Sequence, residues 1–235
     1  MSRRTEPEAL AYLQRVKASY QNFIKINYEG AAKDCKTCPA AGVCCTDEHF
    51  VNVQVTRLEA VAIRETLKRT PRLTEAERRA VYGRARETVE RYGLRVAGDT
   101  FAQTYACPLF ETGVGCLVHR RAKPAPCIQH ACYEHWEDLP PVRLQARTEH
   151  RIERLNHEVY ANAWAWLPIP LWLCLVDPES DGRELERLAR EWSLRPKKGG
   201  SNDAHHAQKS AAHRWPNLPR IKQSFPQNFP QAHQR

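Results

Sequence analysis

Apolar residues recur at helical spacing along much of the chain. One face of the first such stretch carries Leu10, Leu13, Val16, Tyr20, Phe23 and Ile24. Thr56 and Thr74 each precede a glutamate by three positions, which is the capping-box pattern that starts a helix. The pattern predicts helices over residues 7–27, 56–69, 74–93, 142–166 and 184–192. We expect the apolar residues up to Val176 to be a buried continuation of the fourth helix.

Strand signals are scarce. Residues 51–55 alternate valines with Asn52 and Gln54, which predicts one short, half-buried strand. Residues 94–136 are rich in glycine and proline, and a long irregular segment of this kind usually serves a purpose. We therefore expect a mainly α fold with little β and a loop-rich region that contains many of the cysteines.

The net charge of +9 is concentrated near the C-terminal end. Residues 196–235 hold seven Lys or Arg against one Asp, together with five prolines and five glutamines. This stretch cannot bury enough apolar surface to offset its ordering entropy, so it is predicted to be a basic disordered tail. The remainder carries +3, which does not favour nucleic-acid binding beyond weak contacts through the tail.

The cellular compartment determines how the nine cysteines are interpreted. The first ten residues are charged and lack the apolar core of a secretory signal. The longest apolar run, 163–176, is interrupted by Pro168 and Pro170 and is shorter than the roughly 20 residues of a membrane span. We therefore expect a cytoplasmic protein without a membrane anchor. In a reducing cytosol, clustered cysteines favour metal binding over disulfides.

Eight of the cysteines form two groups of four, and four thiolates satisfy one tetrahedral zinc ion or one four-iron cluster. The predicted ligands are Cys35, Cys38, Cys44 and Cys45 in the first group and Cys107, Cys116, Cys127 and Cys132 in the second. The alternative ligands are His119, His130 and His135, and the charges that would offset the thiolates are Arg120, Arg121 and Lys123. Cys174 lies among apolar residues and is excluded from the site.

The two groups are predicted to converge on one region. The two capped helices lie between Cys45 and Cys107, and a helix pair that returns on itself brings its flanking loops to the same end. In an extended stretch, the adjacent side chains of Cys44 and Cys45 would point to opposite faces. One thiol could then serve each group. The alternative is two independent zinc knuckles.

This arrangement resembles the bacterial cysteine-cluster proteins of the YkgJ type, described as carrying a zinc- or iron-chelating domain. Their CxxCxxCC opening matches Cys35 to Cys45, and their closing segments match Cys107-Pro108-Leu109-Phe110, Cys116-Leu117-Val118-His119 and Lys123 to Cys132. The gap from Cys38 to Cys44 is three residues longer than in the family motif, and Lys123 replaces an arginine. The family includes proteins similar to flagellin lysine N-methylases and others once labelled iron–sulfur oxidoreductases.

The resemblance implies an iron–sulfur cluster somewhat more strongly than zinc. We divide the chain into an N-terminal helix that packs on the domain (1–34), a cysteine-cluster metal-binding domain (35–195) and the tail (196–235). Three functions remain open: a metal-handling module, an enzyme of redox or protein-lysine methyl-transfer type that uses the cluster, or a purely structural zinc site in an interaction module. The implied partners are the metal or cluster and a protein partner or substrate.

Overall fold

Helices form most of the computed structural model, which describes residues 4–33, 42–46, 52–97, 100, 103–119, 121–133, 135–160 and 166–194. In chain order the helices are α1 (Glu6–Asn27), α2 (Val43–Thr46), α3 (Arg57–Arg69), α4 (Glu75–Arg91), α5 (Ala125–Gln129), α6 (Val142–Tyr160), α7 (Ile169–Leu175) and α8 (Arg183–Leu194). The strands are β1 (Ala32–Lys33), β2 (Gln54–Val55), β3 (Phe110–Glu111), β4 (Gly115–Cys116), β5 (Cys132–Tyr133) and β6 (Leu167–Pro168). The expectation of a mainly helical chain with little strand is confirmed.

The strands of the described residues form three antiparallel pairs, β1 with β5, β2 with β6 and β3 with β4. Each pair has two residues per strand, so the strands do not form a layer of the fold. The pairs β1–β5 and β2–β6 join segments that are distant in the sequence. All described residues belong to one unit, Met1–Gly199. The predicted tail, 196–235, lies outside the described residues.

The two predicted helix starts are confirmed. The backbone N–H of Glu59 donates to the Thr56 hydroxyl, and the Glu59 carboxylate accepts from the Thr56 N–H at 3.1 Å. Thr74 and Glu77 make the same reciprocal pair at the start of α4. Such caps satisfy backbone N–H groups that have no partner within the helix, and each contributes about 1 kcal/mol.

The predicted strand at 51–55 is shorter in the structure, and its polar face is not exposed. Strand pairing covers Gln54 and Val55, opposite Pro168 and Leu167. Gln54 is buried together with Val55. Its amide nitrogen donates to the Thr100 hydroxyl at 3.1 Å, which offsets part of the cost of burial, whereas its amide oxygen has no hydrogen-bond partner among the described residues. The alternation rule is therefore wrong for Gln54.

The predicted continuation of the fourth helix to Val176 is wrong. Helix α6 ends at Tyr160, and the apolar run instead forms β6 and a separate helix, α7. Pro168 is the residue that caps α7, with Pro170 in its first turn, where a missing N–H costs little. The prolines thus start a helix rather than sit within one.

The core consists of two clusters of buried side chains. The first joins α3, α4, α7 and α8 around fully buried Trp172 and Trp192, and the second joins α1, α5 and α6 around Leu13 and Ile152. The Trp172 indole N–H donates to the carbonyl of Val55 at 2.8 Å and thereby secures β2 against α7. Trp172 and Trp192 therefore serve the core.

Trp166 is likewise buried, whereas Trp164 and the side chain of Trp136 lie outside the described residues. None of the described helices combines the length and the apolar character needed to span a bilayer.

Candidate metal centre

Backbone contacts bring the two cysteine groups together. The N–H of Cys107 donates to the carbonyl of Cys45 at 2.8 Å, although more than 60 residues separate them along the chain. Convergence is therefore confirmed for these two members of the predicted set. The intervening helices α3 and α4 both pack against α7. The predicted pair of helices that returns on itself is not seen, because the main neighbour of α4 is α7 rather than α3.

The segment that holds Cys44 and Cys45 is not extended, contrary to expectation. Residues 43–46 form the single turn α2, and the carbonyl of Gly42 accepts hydrogen bonds from the N–H groups of Cys45 and Thr46. The two side chains do not point to opposite faces, because a hydrogen bond joins the thiols of Cys44 and Cys45.

The second group rests on a scaffold of buried and polar contacts. The hydroxyl of fully buried Tyr105 donates to the carbonyl of Val53 and accepts from the N–H of Ile169 at 3.2 Å. The Arg84 guanidinium donates to the carbonyl of Pro108 at 3.1 Å. These contacts fix the backbone on both sides of Cys107.

Cys116 lies on β4, which pairs with β3 at the turn after Cys107. Cys127 lies on α5, whose Ile128 packs in the second core cluster. Cys132 lies on β5 and pairs in register with Lys33 of β1. Cys35 and Cys38, the first two predicted ligands, lie outside the described residues.

Among the described cysteines, Cys44 has the most strongly stabilised charged form. Hydrogen bonds from the thiol of Cys45 and from His130 hold the pKa of Cys44 well below its ordinary value. The same hydrogen bond to Cys44, together with burial, raises the pKa of Cys45. Of the three predicted alternative ligands, His130 thus contacts a cysteine, His119 lines an adjacent groove and His135 is exposed.

Burial disfavours the charged form of three thiols of the second group. Burial raises the pKa of Cys107 to about 12 and also raises the pKa values of Cys116 and Cys127. The charge of Lys123 opposes this rise at Cys116 and Cys127, as predicted for that lysine. Without a cation these three thiols favour the protonated form, so a bound metal would compete with protons for them.

Lys17, to which the cysteine pattern does not point, also acts on Cys127 through its positive charge. Its side chain on α1 is 4% exposed, and its ammonium lies 2.9 Å from the carboxylate of Glu59. A signal was present, because Lys17 stands four residues after Leu13 and three before Tyr20, in phase with the buried face of α1.

The chemistry of the donor set fits zinc or iron–sulfur ligation. Soft thiolate ligands select zinc and iron–sulfur clusters. Five thiols lie close enough for their charges to affect one another's pKa. They are Cys44, Cys45, Cys107, Cys116 and Cys127. Within the described ranges, no three His, Cys, Asp or Glu side chains are arranged to hold a metal ion.

Cys174 lies apart from this set. It is partly buried against the first core cluster on α7, and burial raises its pKa to about 11. A thiol in such surroundings is unreactive and behaves as a small apolar residue. Its exclusion from the site stays a prediction.

Gly42 determines how closely the first cysteine segment approaches β3. It has φ of +88°, and a Cβ at this position would lie 2.0 Å from Cζ of Phe110. We expect Gly42→Ala to destabilise the protein and to lower its metal content, because the Phe110 ring and the Cys44–Cys45 turn can no longer keep their positions. Chemical unfolding and metal analysis measure both effects.

Gly113→Ala is the matched control for this variant. Gly113 also has a positive φ, +79°, but nothing lies within 4 Å of its would-be Cβ. Both variants carry the backbone penalty of about 1–2 kcal/mol, and only Gly42→Ala adds the clash. Equal losses of stability and metal in the two variants would contradict this role of Gly42.

No family model, curated protein or solved structure matches the chain at a significant level.

Proposed function

We propose that the chain is a cytoplasmic metal-binding protein of the bacterial YkgJ type, holding an iron–sulfur cluster or zinc through its two cysteine groups. The resemblance favours the iron–sulfur cluster. The proposed ligands are Cys35, Cys38, Cys44, Cys45, Cys107, Cys116, Cys127 and Cys132. The cysteines that match the family motif are the same residues that we propose as ligands.

The observation that supports this proposal best is the hydrogen bond from the N–H of Cys107 to the carbonyl of Cys45. A chain that used its cysteines as scattered small apolar residues would have no need to join these segments. Here the contact gathers soft ligands beside several cationic side chains, as a thiolate cluster requires. The charges of Arg84, Arg72 and Lys123 act on Cys107, Cys116 and Cys127.

The partial solvent exposure of the thiols distinguishes an accessible metal centre from a purely structural zinc site. All the described cysteines are partly buried rather than fully enclosed, which favours a centre that a substrate or partner can reach over a purely structural zinc site. A bound iron–sulfur cluster would supply electron transfer, and zinc would supply Lewis acidity. The groove beside His130 favours an enzyme of redox or methyl-transfer type as the second candidate function.

Purification without oxygen, followed by absorbance spectroscopy and analysis of metal and sulfide, tests the proposal. An iron–sulfur protein gives broad visible absorbance that disappears on oxidation, with iron and inorganic sulfide in similar amounts. A zinc protein is colourless and contains zinc. Protein that is folded but free of iron, zinc and sulfide, and that stays metal-free after reconstitution, would contradict the proposed function.

A further inference from the structure

A groove runs between α1 and residues 119–133, beside the cysteine region. It consists of two adjoining cavities of about 50 and 40 Å³, and Gln21, Lys123 and Ile128 line both. Lys17 and Arg121 line the first cavity, and His119, His130 and Tyr133 line the second.

A buried polar atom of a residue that lines the groove, the hydroxyl of Tyr133, lacks a hydrogen-bond partner among the described residues. A buried donor left without a partner is costly, so this hydroxyl points to a ligand or ordered water in the groove. The ammonium of Lys17, in a residue 3% exposed, pairs with the carboxylate of Glu59 at 2.9 Å and contributes charge rather than a free donor.

The charge of the first cavity selects an anion. Its lining contributes the positive charges of Lys17, Arg121 and Lys123, together with the amides of Gln14 and Gln21, and includes no carboxylate. Glu59, behind Lys17, offsets one of the three charges. The cavity has room for about three to five water-sized groups, which corresponds to a carboxylate or a phosphate group.

We propose that this groove binds the oxyanion group of a small molecule, a phosphate or a carboxylate, with Lys123 and Arg121 as its main ligands and Lys17 adding positive charge. The second cavity then receives the rest of the molecule and leads it to His130, which hydrogen-bonds to Cys44. Binding of the oxyanion stands on the groove alone. Its role as a substrate subsite of the metal centre rests on the proposed function.

The test is isothermal titration calorimetry on the full chain, purified without oxygen, at constant ionic strength. Inorganic phosphate and acetate are the two probes, and acetamide is the uncharged control. We expect saturable binding of phosphate or of acetate, and the stronger of the two identifies the oxyanion. Lys123→Gln is expected to weaken that binding about tenfold, since a hydrogen bond to a charged group is lost.

Lys68→Gln is the matched control, because Lys68 is exposed in the last turn of α3 and lines neither cavity. It should bind like the unchanged protein. Arg121→Gln, at an exposed position, removes a second positive charge from the groove and leaves the buried pair of Lys17 and Glu59 unchanged. Absence of saturable binding by both anions, or equal affinities in Lys123→Gln, Arg121→Gln and Lys68→Gln, would overturn the proposal. Saturable binding to protein that is shown to contain no metal would support the groove as an anion site and would count against the proposed function.

Discussion

Replacing Cys127 by serine is expected to abolish the bound metal, whereas replacing Cys174 by serine is expected to leave the metal content unchanged. Cys127 on α5 interacts with Cys107 and Cys116, so its loss removes a soft ligand from the middle of the set. Serine has nearly the same shape but is a much poorer ligand for zinc or iron–sulfur clusters. Metal analysis and absorbance of protein prepared without oxygen measure the difference.

The two cysteines are well matched for this comparison, since both are partly buried and burial raises the pKa of each. They differ in their surroundings, because the charges that act on Cys174 are those of Arg86 and Asp177, whereas the thiols of Cys107 and Cys116 act on Cys127. Full metal content in Cys127→Ser, or a proportional loss in Cys174→Ser, would show that the ligand set is wrongly assigned.

Lys17→Met is expected to lower the free energy of unfolding by about 3–5 kcal/mol, because it leaves the buried carboxylate of Glu59 without its partner. Methionine keeps the length of the side chain and fills the space, so the loss reports the uncompensated charge rather than a cavity. Urea unfolding of this variant against the unchanged protein gives the value.

The double variant Lys17→Met/Glu59→Gln is the control for this interpretation. Glutamine removes the buried charge, and its amide oxygen can still accept from the N–H of Thr56, as the carboxylate does at 3.1 Å. We expect the double variant to recover most of the lost stability. A double variant as unstable as Lys17→Met, or a loss below about 1 kcal/mol in Lys17→Met, would show that the ion pair is not the cause.

Local signals predicted the helix starts well. The Thr56 and Thr74 boxes are complete in sequence and need only four residues each, so tertiary structure has little influence on them. A third box was overlooked: the carboxylate of Glu8 accepts from the N–H of Thr5 at 3.0 Å, and α1 therefore begins at Glu6.

Which face of a helix is buried depends on its neighbours, and here the periodicity of α1 was misleading. Phe23 was placed in the apolar stripe, but it is 44% exposed in the structure. The buried face is centred on Leu13, Lys17, Tyr20 and Ile24, because a lysine can enter the core where a carboxylate from α3 compensates it. Helical periodicity of apolar residues cannot identify such a position, since the compensating residue lies in another element.

The candidate centre shows the same division between local and tertiary information. Residue type and spacing identified the cysteines, and the predicted convergence is confirmed for Cys45 and Cys107. It does not come from two helices packed on each other, since α3 and α4 both pack against α7. The backbone of the Cys44–Cys45 segment was predicted incorrectly, because a single helical turn of four residues carries almost no periodic signal. The groove beside Lys17 was not predicted, since it exists only where α1 packs against residues 119–133.

The central claim is that cysteines of both groups serve one metal centre, and native mass spectrometry of protein prepared without oxygen tests it most directly. The mass gives the bound group per chain, which is measured for the unchanged protein, Cys45→Ser and Cys127→Ser. We expect the bound group of the unchanged protein to be lost completely in either variant. Two bound metal ions per chain, with each variant losing one and keeping the other, would contradict it.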